Sequence, residues 1–256
     1  DPYEVTPEQA KFIRENIFPY WKGKSIEEAF LARTSEATKK IGVDTGFLDT
    51  DSKWRNGVGE ISADYIDVLL PKGYAGIKKE AEEHLSQLNE AIPEEKKKID
   101  FYKSIIMIAD GMMTLGRRYS EKATEMAAVE ADPKRKAELE EIAQICATVP
   151  ANPPKSFREA IQFVWFVQLG GILSENPLAW NPGRFDQYMY PYYEADLKAG
   201  KITETDAQEI IDNLVMKLRI VRFLRTKDYD AIFSGDPYWA TWSDAGFGDD
   251  GRTMVT

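Results

Sequence analysis

Histidine and cysteine are almost absent from this chain of 256 residues, which contains one of each, His84 and Cys146. The sequence therefore has no His/Cys cluster at zinc-site spacing, no pair for a disulfide, and no strong Cys/His or Ser/His/Asp candidate. We interpret His84 as a solvated helix residue. Cys146 shares a helical face with Ile142 and Ile145, which is typical of a buried small hydrophobe. We expect no catalytic residue and no bound metal or cofactor in this chain.

Long apolar runs and clustered positive charge are also lacking. The longest apolar runs, such as residues 163–173, fall short of the roughly 20 residues that span a bilayer. Because no signal-like segment opens the chain either, we expect a cytoplasmic protein without a membrane partner. The formal charge is −10 and the sequence has no basic stripe, which argues against nucleic acid as a partner. No Gly-rich phosphate loop occurs, and we interpret Gly246, Gly248 and Gly251 as turn glycines.

Helix signals dominate the first 150 residues. Two capping boxes start short helices. The first capping box pairs Thr6 with Gln9, and the second pairs Ser25 with Glu28. Between them, Phe18, Tyr20 and Trp21 predict an aromatic corner packed in the core. Apolar periodicity predicts one long helix from about 94 to 131, and a helix begins at Pro133.

Irregular stretches separate these helices. Residues 41–75 have no sustained period and predict a long loop. The proline-rich stretch 150–156 predicts a boundary, because proline prevents helix continuation. Beyond it, helices are predicted first and short strands only near the end of the chain.

Two stretches of the sequence resemble one enzyme superfamily. Residues 195–241, from ADLKAGKITE to FSGDPYWAT, are similar to the corresponding stretch of pyruvate formate-lyase. Residues 116–169 and 175–197, the second containing ENPLAWNPGRFDQYMYPYYEADL, resemble the glycyl radical dehydratases and related lyases. Similarity extends over most of residues 11–256. It indicates the glycyl radical enzyme family, of the pyruvate formate-lyase type.

This resemblance implies an α/β fold with a ten-stranded barrel wrapped by helices. Residues 1–150 would form a mainly helical outer region, and residues 151–256 the first part of the barrel with segments of the pocket wall. In that family a stored glycyl radical generates a thiyl radical on a cysteine loop, and the thiyl attacks substrate. Neither loop is recognisable here, so the sequence predicts a mostly helical fragment whose radical belongs to the full-length protein.

The resemblance also implies site residues. Phe233 and Trp239 match positions that line the substrate pocket, and Ala179 matches a small residue near the pocket floor. Aromatic walls would exclude water from the reactive centre. The alternative is that both aromatics belong to ordinary barrel core.

Some positions depart from pyruvate formate-lyase. That enzyme has a glutamate and a Gly-Gly turn where this chain continues with residues 242–244, and Trp180 replaces a more slender residue. We expect these changes to narrow or reshape the pocket. Arg184 could bind an anionic substrate through its bidentate fork, but we favour a buried structural ion pair, with Asp186 or a neighbouring carboxylate.

Three functions follow from these observations. The first is formate C-acetyltransferase, which converts pyruvate and coenzyme A to acetyl-CoA and formate. The second is radical dehydration, or C–N or C–C lysis, of a small polar substrate. The third is a truncated, non-catalytic module. For the full-length protein the resemblance implies a radical SAM activating enzyme as partner and a homodimer.

Overall fold

The structure is a computed structural model that describes residues 5–43, 45, 60–175, 179–221, 240–248 and 250–253. Its helices are α1 Pro7–Phe12, α2 Phe18–Trp21, α3 Ile26–Arg33, α4 Glu36–Thr38, α5 Leu70–Leu85, α6 Lys96–Val129, α7 Pro133–Thr148, α8 Phe157–Glu175, α9 Phe185–Lys198 and α10 Glu204–Ile220. Wide helical turns cover Ile13–Ile17, Lys39–Val43 and Tyr65–Leu69, and the strands are β1 Glu60–Ser62 and β2 Ala179–Asn181. The prediction of a mostly helical chain is confirmed.

The predicted helix starts are confirmed by their hydrogen bonds. Thr6 and Ser25 each form a complete capping box, in which the cap hydroxyl and the side chain at the third helical position exchange bonds with the backbone. Asp132 caps α7 by accepting a hydrogen bond from the Lys134 N–H at 3.1 Å. These caps satisfy N–H groups that have no partner within the helix.

Helix α6 runs for 34 residues, close to the span predicted from its periodicity. Its buried positions pack against α5 and α7. At Gly116 a methyl group would meet the Pro150 ring at 2.7 Å, so the absence of a side chain lets α6 approach the proline-rich segment. That segment also accepts two hydrogen bonds from the start of α5, from the N–H groups of Tyr74 and Ala75. The domain boundary near residue 150 stays a prediction.

Helix α8 is the centre of the core. It is apolar nearly all round, as expected of a helix that is covered on every side. Its almost fully buried residues are Phe157, Ala160, Phe163, Val164, Phe166, Val167 and Gln168. Helices α6, α7, α9 and α10 and strand β2 all contact α8. Because these elements share one core, α8 fixes where β2 lies.

The two strands pair in parallel, with Glu60 opposite Ala179, Ile61 opposite Trp180 and Ser62 opposite Asn181. The loop predicted over residues 41–75 is wrong at both ends: the helical turn Lys39–Val43 reaches into its start, and β1, the turn Tyr65–Leu69 and the first residues of α5 occupy its end. A three-residue strand leaves little local pattern, since its pairing comes from distant residues. The described part of the chain contains two strands, β1 and β2, and does not show the ten-stranded barrel.

The aromatic corner was predicted wrongly as core. Phe18, Tyr20 and Trp21 are 62%, 60% and 54% exposed. The Tyr20 ring packs edge-on against Trp21 at 5.3 Å between ring centroids, and Lys24 Nζ lies 4.0 Å from the Tyr20 centroid. Tyr20 and Trp21 thus contact each other on a solvent-exposed surface, and Phe18 is exposed beside them in sequence. Among the described helices, none combines the length and apolar character needed to cross a membrane.

A buried carboxylate joins α8 to α9. Asp196 is 3% exposed, and its Oδ2 accepts a hydrogen bond from the Phe157 N–H at 2.7 Å, at the first residue of α8. Its Oδ1 accepts one from Lys201 Nζ at 3.1 Å. Since a buried carboxylate is costly without partners, these bonds fix the end of α9 against the start of α8.

We expect Asp196→Ala to lower the free energy of unfolding by roughly 2–3 kcal/mol, because it leaves the buried Phe157 N–H without an acceptor. Asp196→Asn should cost less, because its amide oxygen can still accept that bond. Urea denaturation of the chain measures both. Asp212→Ala, at an exposed carboxylate, is the matched control. Equal effects at positions 196 and 212 would contradict the role of Asp196.

Candidate active-site wall

Of the three residues predicted to line a pocket, the described structure contains one. Ala179 begins β2 and is 2% exposed. Phe233 and Trp239 lie outside the described residues, so their role stays a prediction. The site is therefore built outward from β2.

The two faces of β2 have different neighbours. A methyl group on Gly171 of α8 would overlap the Trp180 ring, so Trp180 packs closely on this helix. Successive side chains of a strand point to opposite faces, which places Ala179 and Asn181 on the face away from α8. The expectation that Trp180 narrows or reshapes the substrate pocket stays a prediction. We call the Ala179 side of β2 the inner face.

A buried polar cluster holds the outer face of β2. Gln168 Nε2 donates to Tyr65 Oη at 3.1 Å, and the Trp180 side chain is also hydrogen-bonded to Tyr65. Burial raises the pKa of Tyr65 far above its usual range, so this phenol remains protonated. A cluster with its polar groups satisfied this way rigidifies its surroundings. It orients β2 and is not an acid–base site at neutral pH.

Tyr188 extends this cluster to the chain that follows β2. Its ring stacks on Tyr65, with 4.9 Å between the centroids, and its hydroxyl donates to the Pro182 carbonyl at 2.8 Å. Burial also raises the pKa of the Tyr188 phenol. The start of α9 is thereby fixed relative to β2. Sequence analysis missed this cluster, because its residues are far apart along the chain.

The chain returns beside β2 at residues 241–243. Gly183 pairs in parallel with Trp242. The Gly183 N–H donates to the Thr241 carbonyl at 3.2 Å, and the Ser243 N–H donates to the Gly183 carbonyl at 2.8 Å. The Trp242 ring lies 3.8 Å from the Phe185 ring between centroids. The segment that follows Trp239 in sequence is thus bonded to the end of β2.

The favoured ion pair between Arg184 and Asp186 is wrong. Arg184 Nη2 instead donates to the Phe247 carbonyl at 3.0 Å, and Arg184 is exposed. Asp186 Oδ2 accepts from the Ala245 N–H at 2.6 Å. Each side chain binds a backbone group of residues 245–247, which lie closer to it than the other side chain does. We call residues 241–247 the returning segment.

A pocket of about 450 Å³ lies where the parallel segments end. Its lining includes Tyr65 after β1, Arg184 and Gln187 after β2, and Gly248 after the returning segment. Ligands of parallel sheets commonly bind beyond the carboxyl ends of the strands. The rest of the lining is mainly apolar and does not include Ala179; it consists of Ile66, Leu70, Pro71, Tyr188, Pro191 and Tyr192. No group of three or more His, Cys, Asp or Glu that could hold a metal ion occurs among the described residues.

Comparison with known proteins identifies the family. The pyruvate formate lyase-like family matches residues 1–256. The chain belongs to this family.

Members with different activities are similar to this chain. Isethionate sulfite-lyase of Nitratidesulfovibrio vulgaris is 37% identical over 220 residues, which are 82% of this chain and 26% of that protein. Formate acetyltransferase of Haemophilus influenzae is 58% identical over 106 residues, 41% of this chain and 14% of that protein. The glycerol-bound B12-independent glycerol dehydratase of Clostridium butyricum superposes with a TM-score of 0.84 at 35% identity, over 99% of this chain and 32% of that one. The chain therefore spans a third or less of each of these relatives.

In this pyruvate formate lyase-like chain, Ala245 has an unusual backbone. Its φ is +63°, in the left-handed region that glycine adopts without steric cost, and Gly246 follows at +104°. The hydrogen bond from the Ala245 N–H to Asp186 holds the turn formed by Ala245 and Gly246 in this conformation. Gly251 has φ +73°, so the turn conformation expected of Gly246 and Gly251 is confirmed.

We expect Ala245→Gly to raise the free energy of unfolding by about 0.5–1 kcal/mol, since relief of the left-handed strain exceeds the added entropy of the unfolded chain. Urea denaturation measures the change. Ala199→Gly is the control, because Ala199 has φ −79° and should lose stability. Destabilisation by both substitutions would contradict the strain at Ala245.

Cys146 is buried as the sequence predicts, and burial raises its pKa to about 11. Because a thiolate is the reactive form, the thiol should be inert below that pH. We expect less than one tenth of the native chain to react with Ellman's reagent at pH 8 within minutes. In 6 M guanidinium chloride the thiol is exposed and has a pKa of about 8.5, so all of the chain should react at the rate of an ordinary thiol. Rapid labelling of the native chain would contradict this.

Proposed function

We propose that the protein containing this chain is a glycyl radical enzyme with formate C-acetyltransferase activity, which converts pyruvate and coenzyme A to acetyl-CoA and formate. The supporting observation is the 58% identity to a formate acetyltransferase over 106 residues. From the sequence, residues 195–241 resemble pyruvate formate-lyase, and the proposed wall residues Phe233 and Trp239 lie in that stretch. The proposal concerns the whole protein, of which this chain is one part.

In this proposal the chain supplies shape and exclusion of water. Ala179 contributes a methyl group to the inner face of β2, and we propose that this small side chain lies near the pocket floor. The buried cluster around Tyr65 fixes the strand from behind, so the wall is pre-organised before substrate binds. Phe233 and Trp239 would complete an apolar wall that keeps water from the reacting atoms.

The glycyl radical of the full-length protein would supply the reactivity, and a radical SAM enzyme would install it. In this proposal the chain holds no catalytic residue, and the buried phenols of Tyr65 and Tyr188, whose pKa values burial raises, stay protonated and hold the wall in place. The 256-residue chain alone should be inactive. We propose a homodimer for the full-length protein, as the resemblance implies.

A second candidate is radical cleavage or dehydration of another small polar substrate. It is favoured by the isethionate sulfite-lyase similarity over 82% of the chain and by the glycerol dehydratase likeness over 99% of it. The departure at residues 242–244 from the glutamate and Gly-Gly turn of pyruvate formate-lyase points the same way. Both candidates use the same wall and differ in the substrate.

The complete gene product, activated anaerobically by a radical SAM activating enzyme, tests the proposal. We expect a glycyl doublet in electron paramagnetic resonance, and formation of formate and acetyl-CoA from pyruvate and coenzyme A. Turnover of isethionate or glycerol in place of pyruvate would support the second candidate. An activated protein without an organic radical would contradict both.

Ala179→Leu in the same protein separates binding from radical formation. The larger side chain should occupy substrate space and raise KM for pyruvate at least tenfold, while radical content stays unchanged. Val215→Leu is the control, since Val215 is exposed on α10 and should leave KM unchanged.

A further inference from the structure

The start of α9 binds the returning segment at several points. Residues 183–187 contact residues 241–247 through the Gly183–Trp242 pairing and the Phe185–Trp242 ring contact. The Arg184–Phe247 and Asp186–Ala245 hydrogen bonds continue the contact. Two side chains accept hydrogen bonds from the returning backbone: Asp186 from the Ala245 N–H, and Asn181 Oδ1 of β2 from the Thr241 N–H at 3.2 Å.

The Asp186 carboxylate lies where a fixed acceptor is needed. Its Oδ2 accepts from the Ala245 N–H at 2.6 Å and from Gln187 Nε2 at 2.7 Å. Hydrogen bonds to an ionised acceptor are shorter and stronger than those between neutral groups. Asp186 is half-buried in the first turn of α9, where the helix dipole favours negative charge. Gln187 thus orients the carboxylate toward the turn.

Ala245 needs such an acceptor, because its left-handed φ costs energy that an external contact must offset. Inside the turn, Trp242 Nε1 donates to Asp244 Oδ1 at 2.5 Å. Asp244 therefore closes the turn on itself, whereas Asp186 attaches it to α9. The two acidic residues have separable effects, although each carries the same charge.

We propose that Asp186 is a positioning residue for the substrate wall. By binding the Ala245 N–H it fixes residues 241–243 at their far end, while Asn181 Oδ1 binds the Thr241 N–H at the near end. Trp239, a proposed wall residue, comes two residues before this paired stretch in the sequence. The proposal rests on the proposed function insofar as Trp239 belongs to the pocket. The contact of Asp186 with the turn does not depend on the proposed function.

Amide hydrogen exchange followed by NMR on the 256-residue chain tests the contact. Asp186→Ala should accelerate exchange at Ala245 and Ser243 at least tenfold, with protection in α8 unchanged. Asp186→Asn should retain part of the protection, because its amide oxygen can still accept. Asp244→Ala is the matched control and should leave the Ala245 amide protected. Unchanged exchange at Ala245 in Asp186→Ala, or an equal loss throughout α8, would overturn the proposal.

Steady-state kinetics of the activated complete gene product tests positioning, with pyruvate as the varied substrate. Asp186→Ala should raise KM at least fivefold at unchanged radical content, with a smaller change in kcat, and Asp186→Asn should partly restore KM. An unchanged KM with normal radical content would overturn the positioning role. If pyruvate is not turned over, the proposed activity fails, while the exchange experiment still decides whether Asp186 holds the turn.

Discussion

The burial of α8 along most of its length is the constraint on which the other features depend. One set of its contacts is with α6 and α7, and another is with β2, α9 and α10. Helix α8 cannot turn or slide without exposing apolar surface, at a cost of about 25 cal/mol per Å². Its Gly171 lets the Trp180 ring pack closely, and its Gln168 binds Tyr65. The orientation of β2, and with it the side to which Ala179 points, therefore follows from the core.

Polar contacts then transmit this order from the core to the edge of the sheet. Tyr188 connects the buried cluster to the chain after β2, and Asp186 connects that chain to the returning segment. Asp196 fixes the other end of α9 against α8. Helix α9 is thus held at both ends. A wall built on such fixed elements suits a family whose protein must exclude water while a radical supplies the reactivity.

The sequence predicted those features that are encoded locally. Helix caps depend on residues three positions apart, and the long α6 on a repeated pattern, so Thr6, Ser25 and α6 were predicted well. β1 was missed because three residues leave no pattern and its partner β2 lies far along the chain. The Arg184–Asp186 ion pair failed because proximity in sequence said nothing of the backbone groups of residues 245–247. The aromatic corner failed because apolar composition alone does not identify a packing partner.

The site was reached mainly through family resemblance, because its proposed chemistry does not reside in a local cluster of reactive side chains. Ala179 carries no chemical signature, and only the alternation of β2 distinguishes its face from that of Trp180. A crystal structure of the complete gene product with pyruvate bound tests this assignment directly. Pyruvate within about 4 Å of the Ala179 methyl group, with the Trp180 ring against α8, is the predicted result. Pyruvate bound on the Trp180 side of β2 would contradict it.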